Sequence, residues 1–153
     1  LDRDTSGVMI FAQTEYAQRS LSMQFEKRQV KKVYVARVFG VVTQRIGLIN
    51  LPLIVDWENR PRQMVCHETG KVAVTEWYKL SSNENESRLR LVPKTGRSHQ
   101  LRVHCMALGH PILGDPIYGK ASSHCRMMLH SEELRVNHPE SGFGLRFRSK
   151  APF

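Results

Sequence analysis

The fold is decided by residues 31–42, which read KKVYVARVFGVV. Their side chains alternate, with Val33, Val35 and Arg37 on one side of the chain and Tyr34 and Ala36 on the other. Alternation combined with many β-branched residues is typical of a β-strand. We therefore predict a strand here, and the segments before and after it decide what kind of sheet it joins.

Further strand-like runs lie on both sides of this segment. A polar turn at residues 1–7 leads into the short apolar run VMIFA at residues 8–12, which we also predict to be a strand. After residue 42 come an apolar patch and several alternating runs, at residues 48–55, 63–68, 71–80, 88–93, 126–136 and 144–149. The chain is therefore rich in strands.

Two segments have a helical pattern instead. The first follows Thr14, a residue suited to capping a helix, and carries Ala17, Leu21 and Phe25 at spacings of four, which predicts a core-facing stripe. The second spans residues 98–109, with three apolar side chains on one face and a glycine suited to its C-terminal cap: Leu101, Cys105, Leu108 and Gly109. Strands that do not strictly alternate with helices predict an α+β fold, a mainly antiparallel mixed sheet flanked by helices.

Composition limits the kind of partner. The 153 residues are enough for a single domain, which we take to span residues 1–153. Lys and Arg number 23 against 14 Asp and Glu, giving a net charge of +9 and a pI near 9.9. Such a basic chain favours a polyanionic partner, and nucleic acid more than a membrane, because no apolar run approaches the roughly 18 residues of a span. An inert basic surface is the alternative.

Cysteine usage indicates the compartment. Cys66, Cys105 and Cys125 are too few and too scattered for a disulfide framework, so we expect a reducing, cytoplasmic location. Each has a histidine neighbour, but none of these pairs has the CxxC or HxxxH spacing of zinc sites, so no metal site is predicted. The chain starts at Leu1 without a signal peptide, and we expect that its native N-terminal part is missing.

The first motif that could carry chemistry is LDRDTSGVM at residues 1–9, with Asp2 and Asp4 in a turn. Aspartates in turns often bond only to local backbone N–H groups. The DxDxS pattern also resembles enzymes with an aspartyl nucleophile, but those need an apolar strand before the first Asp and a downstream acidic pair, of which only Asp115 is loosely placed. Aspartic proteases are a poorer match, because Ser6 interrupts their triplet.

The second motif is KTGRSHQLRVH at residues 94–104, where basic side chains gather at a predicted helix start: Arg97, His99, Arg102 and His104. A helix N-terminus with arginine nearby is a natural anion site, although a solvated basic face would read the same way. Arg102 fits that alternative poorly, since Leu101 and Val103 flank it. We expect it to be partly buried beside a carboxylate.

Three blocks together resemble the RluA family of pseudouridine synthases: residues 1–12, residues 31–40, and residues 96–119 with the later RMMLHS at 126–131. Their order and spacing match along nearly the whole chain. Residues 51–77 resemble, within that family, members that modify both 23S ribosomal RNA and the anticodon arm of transfer RNA. The resemblance implies the pseudouridine-synthase catalytic fold, isomerisation of uridine to pseudouridine, and no metal or organic cofactor.

The resemblance also implies residue roles. Asp2 would be the catalytic aspartate, Tyr34 would stack on the target base, Arg102 would pair with Asp2, and Leu129 would line the base pocket. The family has His-Arg before the leucine that is Leu1 here, so an arginine that enters the RNA helix is absent from this sequence. To RNA binding we assign four residues of the same blocks: Lys31, Lys32, Arg97 and His99.

These assignments make the leading hypothesis a monomeric enzyme that isomerises uridine in a 23S rRNA or tRNA stem-loop. Two alternatives stay open at this point: a non-catalytic RNA-binding module, and an aspartyl-nucleophile phosphotransferase. A carboxylate could attack the sugar or the base, or remove a sugar proton, and the residues do not choose among these routes.

Overall fold

The computed structural model describes residues 1–120 and 124–153, which contain two helices and nine strands. In chain order they are β1 (Ser6–Gly7), α1 (Glu15–Glu26), β2 (Lys31–Phe39), β3 (Ile46–Asn50), β4 (Leu53–Val55), β5 (Gln63–Val65), β6 (Val74–Ser82), β7 (Glu86–Pro93), α2 (Gln100–Ala107), β8 (Leu129–Asn137) and β9 (Gly144–Arg148).

Seven of these strands form one sheet in the order β1-β8-β2-β7-β6-β3, with β9 also paired to β8. Every pairing in it is antiparallel except the short parallel contact of β1 with β8. Strands β4 and β5 form a separate antiparallel hairpin. The predicted α+β fold on a mainly antiparallel sheet is therefore confirmed.

Strand β2 is central because β7 and β8 pair with it on either side. Its buried side chains come from both faces of the strand, Val33 and Val35 from one and Ala36 and Val38 from the other, each no more than 2% exposed. A strand covered on both faces has near-continuous apolar character. The predicted strand at residues 31–42 is confirmed and ends at Phe39.

Helix α1 begins where the sequence predicts. The Thr14 hydroxyl accepts a hydrogen bond from the Ala17 backbone N–H at 3.1 Å, so the predicted cap is confirmed. Leu21 is buried in a cluster with residues of β8. Phe25, however, is 42% exposed, so its prediction as a core residue is wrong.

The apolar run at residues 8–12 is not a strand, and that prediction is wrong. Pairing with β8 ends with the hydrogen bond from Val8 N–H to the Ser131 carbonyl, 2.9 Å. Beyond it, Val8 and Ile10 pack against the cluster around Leu21, while Phe11 is 78% exposed. The apolar run therefore packs on one side, through Val8 and Ile10, without a neighbouring strand.

Helix α2 packs one face of the main sheet. Leu101 and Cys105 join a core cluster with Trp77, Leu89 and Leu91. The chain leaves the helix through a left-handed glycine at residue 109, as predicted. Among the described residues, no helix is long and apolar enough to cross a membrane.

Candidate active site

A cleft of about 310 Å³ opens where the N-terminal turn, β2, the β7–α2 turn and the start of β8 meet. Residues far apart in sequence line it. They include seven of the eight predicted site residues: Asp2, Lys32, Tyr34, Arg97, His99, Arg102 and Leu129. The eighth, Lys31, is exposed next to Lys32 on β2, opposite Arg135, and does not line the cleft.

Arg102 lies at the inner end of the cleft with only 2% of its surface exposed. Its Nε and Nη2 donate to the two carboxylate oxygens of Asp115, both at 2.7 Å, and its Nη1 donates to Oδ2 of Asp2 at 3.3 Å. The guanidinium carbon also lies 5.0 Å from the centroid of the Tyr118 ring. The expected burial of Arg102 beside a carboxylate is thus observed, with two carboxylates where one was expected.

Asp115 is the partner that the sequence did not reveal. Its side chain is fully buried, and its Oδ1 also accepts the backbone N–H groups of Ile117 and Tyr118, at 2.9 and 3.1 Å. Burial raises the pKa of Asp115, but the hydrogen bonds from Arg102 and from the two backbone N–H groups outweigh it, so the pKa lies below its ordinary value. Arg102 is therefore held along one edge by a carboxylate that is ionised near pH 7.

The two aspartates of the N-terminal turn lie in different surroundings. The side chain of Asp2 is 26% exposed and faces both Arg102 and the cleft. Its carbonyl accepts the Thr5 N–H at 3.0 Å, which closes the turn. Asp4 is exposed and does not line the cleft. Of the two, only Asp2 could touch a ligand held in the cleft.

Tyr34 and Leu129 give the cleft an apolar wall. Tyr34 lies on β2 opposite Leu91 and Ser131, and Leu129 is almost fully buried at the start of β8. Burial raises the pKa of the Tyr34 phenol, and the Asp2 carboxylate adds to this effect, so the phenol is neutral near pH 7. An aromatic ring beside an aliphatic side chain is a surface on which a flat base can lie.

A second cleft of about 300 Å³ adjoins the first and shares Lys32 and Arg97 with it. We call it the basic groove, after the four cations that line it: Arg28, Lys32, Lys94 and Arg97. Lys32 donates to the Thr95 carbonyl at 3.0 Å, and burial lowers its pKa. Glu76 pairs with Lys94 outside the groove lining, and Glu26 is the one acidic residue that lines the groove within the described part of the chain. The groove is suited to an anionic chain leading away from Asp2.

The two histidines of the motif at residues 94–104 lie in different surroundings. His99 lines the cleft in a left-handed backbone conformation, φ 52°, and its Nδ1 lies 2.8 Å from the Tyr118 hydroxyl. His104 is fully buried away from the cleft, bonded to the Thr75 hydroxyl and the Leu51 carbonyl. The expectation that both histidines gather at one anion site is wrong for His104, because the five residues from His99 to His104, at about 100° each, carry it about 140° around the axis of α2.

Within residues 1–120 and 124–153, no group of three or more His, Cys, Asp or Glu side chains is arranged to hold a metal ion. The cleft is lined instead by six titratable side chains, those of Asp2, Lys32, Tyr34, Arg97, His99 and Arg102.

Comparison with known proteins identifies the family. The profile described as RNA pseudouridylate synthase matches residues 1–107, which include Asp2, Tyr34 and Arg102. The chain belongs to this family. It is an isomerase that converts uridine to pseudouridine in RNA, and neither a phosphotransferase nor a binding module without chemistry is favoured.

Relatives of this pseudouridine synthase match it along its whole length. Proteins named dual-specificity RNA pseudouridine synthase RluA are 50% identical in Yersinia pestis and in Escherichia coli strain K12, and 47% identical in Haemophilus influenzae. The chain covers 76% of the Yersinia protein and 72% of each of the other two.

Two solved structures share the fold. The structure named human RNA Pseudouridylate Synthase Domain Containing 1 superposes with a TM-score of 0.87 at 33% identity, covering 100% of this chain and 67% of the human one. Human RNA Pseudouridylate Synthase Domain Containing 4 gives 0.82 at 27% identity, covering 99% and 69%. The pseudouridine-synthase fold expected from the sequence is confirmed.

Proposed function

We propose that this pseudouridine synthase modifies uridines in 23S ribosomal RNA and in the anticodon arm of transfer RNA, and that Asp2 is its catalytic residue. The choice of RNA is supported by the full-length similarity to relatives named dual-specificity enzymes. One observation carries the choice of residue: Asp2 is the carboxylate that both lines the cleft and accepts a hydrogen bond from a buried arginine, at 3.3 Å.

The reaction is an isomerisation that needs no oxidant and no net water. The glycosidic bond between C1′ and N1 breaks, the uracil turns, and C5 forms the new bond to C1′ while losing its proton, and N1 gains one. An ionised Asp2 can attack the sugar or the base, or remove a sugar proton, and each route requires a carboxylate aimed into the cleft. The bidentate contact of Asp115 with Arg102 helps to aim Asp2 into the cleft.

Asp115 occupies the Nε and Nη2 donors of Arg102 and leaves Nη1 for Asp2. Asp2 therefore receives one guanidinium N–H, which orients it and favours its charged form, while its remaining lone pairs stay available to the substrate. Without Asp115, the guanidinium could turn and hold Asp2 in a two-pronged pair. In the proposed site, Arg102 positions the carboxylate and Asp115 limits how tightly it does so.

A uridine stacked in a helix cannot reach a carboxylate in a cleft, so the target nucleotide must be flipped out at a cost of a few kcal/mol. We propose that Tyr34 receives the flipped base and that Leu129 supports its other side, since both line the cleft with Asp2. Stacking on an aromatic ring contributes about 1–3 kcal/mol per base and offsets much of that cost.

The rest of the RNA arm is proposed to lie along the basic groove, where Lys32 and Arg97 mark the junction with the cleft. Arg97 is held there by the hydrogen bond from its Nε to the Val72 carbonyl, 3.0 Å. His99 is assigned to the target nucleotide. Lys31, outside both clefts, would add only to the general attraction of the phosphates.

We further propose that residues 1–153 act as one catalytic domain, monomeric and in the cytoplasm. Asp2, Tyr34 and Arg102 come from one copy of the chain, so no second copy is needed to complete the site. The three unpaired cysteines suit a reducing compartment. Light scattering of the purified chain tests the monomer, and a dimer whose dissociation abolishes activity would contradict it.

The test of the site is Asp2→Asn, with Asp4→Asn as its matched control in the same turn. Release of tritium from RNA carrying 5-tritiated uridine reports the isomerisation, and filter binding reports RNA affinity. Asp2→Asn should abolish tritium release and leave affinity nearly intact, because the amide keeps the shape but cannot act as a nucleophile or base. Asp4→Asn should remain active. Full activity of Asp2→Asn, or equal losses in the two variants, would overturn the assignment.

A further inference from the structure

Tyr118 is held between two cations beside the cleft. Its ring centroid lies 5.0 Å from the guanidinium carbon of Arg102 and 5.2 Å from that of Arg62, and the residue is only 4% exposed. Its hydroxyl has two neighbours. The Gln63 backbone N–H donates to it at 2.7 Å, and Nδ1 of His99 lies 2.8 Å away.

The protons of this chain of groups can be counted. The Gln63 N–H can only donate, so the Tyr118 oxygen accepts that bond and has one proton of its own to give. If Nδ1 of His99 also carried a proton, the hydroxyl would accept twice and its proton would have no acceptor among the described residues. Because buried donors are almost always satisfied, the hydroxyl donates to Nδ1. An imidazole that accepts at Nδ1 carries its proton on Nε2.

The charges around the ring favour the same neutral form. His99 faces Arg102 from α2, Asp2 from the N-terminal turn, and Asp115 and Tyr118 from the loop that follows α2. Burial and the Arg102 guanidinium lower the pKa of His99, against the opposing effects of Asp2 and Asp115.

The other ring nitrogen of His99, Nε2, is available to a ligand in the cleft. His99 lines the cleft, and its Nε2 makes no hydrogen bond with any residue that the structure describes. Its backbone has a positive φ of 52°, which is uncommon for a residue other than glycine, and such conformations cluster at functional sites. The strained backbone and the Tyr118 hydroxyl together fix the orientation of the imidazole.

We infer that Tyr118 is a positioning residue that sets the tautomer of His99, so that the Nε2–H of His99 donates a hydrogen bond to an oxygen of the target nucleotide. The inference rests on the proposed function, because that nucleotide is the substrate of the same site. The acceptor is an oxygen, whether a uracil carbonyl or an oxygen of the sugar-phosphate. The hairpin of β4 and β5 takes part through Gln63, which supplies the N–H that directs the Tyr118 proton.

The tautomer can be observed without substrate. In protein labelled with ¹⁵N in its histidine rings, the two ring nitrogen shifts distinguish Nδ1–H from Nε2–H, and His99→Gln identifies which signals belong to His99. We expect Nε2–H near pH 7 in the unchanged protein and a mixture of tautomers in Tyr118→Phe. An Nδ1–H form in the unchanged protein, or an unaltered pattern in Tyr118→Phe, would overturn the inference. Because this result requires no catalysis, it is independent of whether the proposed roles of Asp2 and Tyr34 hold.

A double-variant experiment tests the role in catalysis. One neutral hydrogen bond corresponds to a loss in kcat/KM of about 2- to 12-fold, which is what we expect of Tyr118→Phe. Glutamine places an amide N–H close to the position of Nε2 and has no second tautomer. Tyr118→Phe should therefore cause no further loss in kcat/KM in a His99→Gln background. Tyr78→Phe, at a partly exposed tyrosine outside the site, is the matched control and should keep full activity. An equal loss from Tyr118→Phe in both backgrounds would show a purely structural role and overturn the inference.

Discussion

Replacing Arg102 by methionine should cost the protein about 3–5 kcal/mol of unfolding free energy at pH 7, because it breaks a buried ion pair and leaves one partner behind. The partner that suffers is Asp115, whose side chain is fully buried, whereas the 26% exposed side chain of Asp2 can take up water. Two backbone N–H groups still solvate Asp115, which argues for the lower half of that range. Methionine keeps apolar volume next to Tyr118, so the loss reflects charge more than a cavity.

The loss should shrink as the pH falls. In the unchanged protein the pKa of Asp115 is lowered, so the ionised carboxylate stabilises the fold above its unfolded pKa of about 3.9, and this contribution is lost as the pH falls through the folded value. In Arg102→Met the pairing is gone and burial dominates, which raises the pKa of Asp115. Asp115 of the variant can then take up a proton at a mildly acidic pH, which relieves the buried charge and recovers unfolding free energy. The unchanged protein recovers no unfolding free energy at that pH, because its Asp115 stays paired with Arg102. The difference in stability between the two should therefore be smaller at pH 4 than at pH 7.

Urea unfolding followed by circular dichroism at both pH values measures this difference. Arg37→Met is the matched control, since Arg37 pairs with Glu86 near the surface, where both side chains are partly exposed, and should lose at most about 1 kcal/mol. Asp115→Asn combined with Arg102→Met should recover part of the stability, because no unpaired buried charge remains. A loss below 1 kcal/mol at pH 7, or an equal loss at both pH values, would refute the account of the clamp.

Three further outcomes follow from the geometry. Gly7→Ala should reduce both the melting temperature and tritium release, because φ is +112° there and a Cβ would overlap the backbone of Ser131, displacing the turn that carries Asp2; a fully active variant of unchanged melting temperature would contradict this. Tyr34→Leu should weaken binding of the RNA arm by about 1–3 kcal/mol in filter-binding assays, while Tyr34→Phe keeps the stacking face; equal affinities of the two variants would remove the stacking role. RNA affinity should fall linearly with salt on logarithmic axes, with a slope about 0.7–0.9 smaller in Arg28→Gln for one lost phosphate contact, and a flat salt dependence would contradict the role of the basic groove.

Much of the fold was predictable because local pattern and local physics agree in it. The alternation of β2, the Thr14 cap of α1 and the glycine that ends α2 each act within a few residues, so the sequence displays them directly. The strand predicted at residues 8–12 was wrong because an apolar segment is not sufficient for a strand. An apolar run indicates that a segment packs against the core, whereas a strand also needs a neighbour with free backbone groups. Strand β8 pairs with the N-terminal segment only at Ser6 and Gly7.

Part of the site was also predictable from local sequence pattern. Because Leu101 and Val103 flank Arg102, the sequence predicted a partly buried cation beside a carboxylate, and the structure shows a buried Arg102 bonded to Asp2. Its bidentate partner Asp115 and the neighbouring Tyr118 come from a loop whose path depends on the whole fold, and no local spacing shows that path. The roles given to the cleft residues came from family resemblance, and they stay predictions until the variants are measured.

Phe25 allows one experiment to compare what the helical spacing predicts with what the structure shows. The spacing of four places it in line with Leu21, but at 100° per residue each step of four drifts by about 40°, so the stripe turns away from the core by the last turn of the helix. Phe25 lies there at 42% exposure, lining both the cleft and the basic groove, whereas Leu21 is buried. Leu21→Ala should therefore cost about 2–5 kcal/mol of unfolding free energy with little change in RNA affinity. Phe25→Ala should cost much less stability and weaken RNA binding, because an exposed ring at the junction of the two clefts packs mainly when RNA fills them. Urea unfolding and filter binding on the same two variants measure both quantities. If Phe25→Ala destabilises the fold as much as Leu21→Ala and leaves RNA affinity unchanged, then Phe25 is a core residue after all, and the path proposed for the RNA along the groove loses its apolar contact.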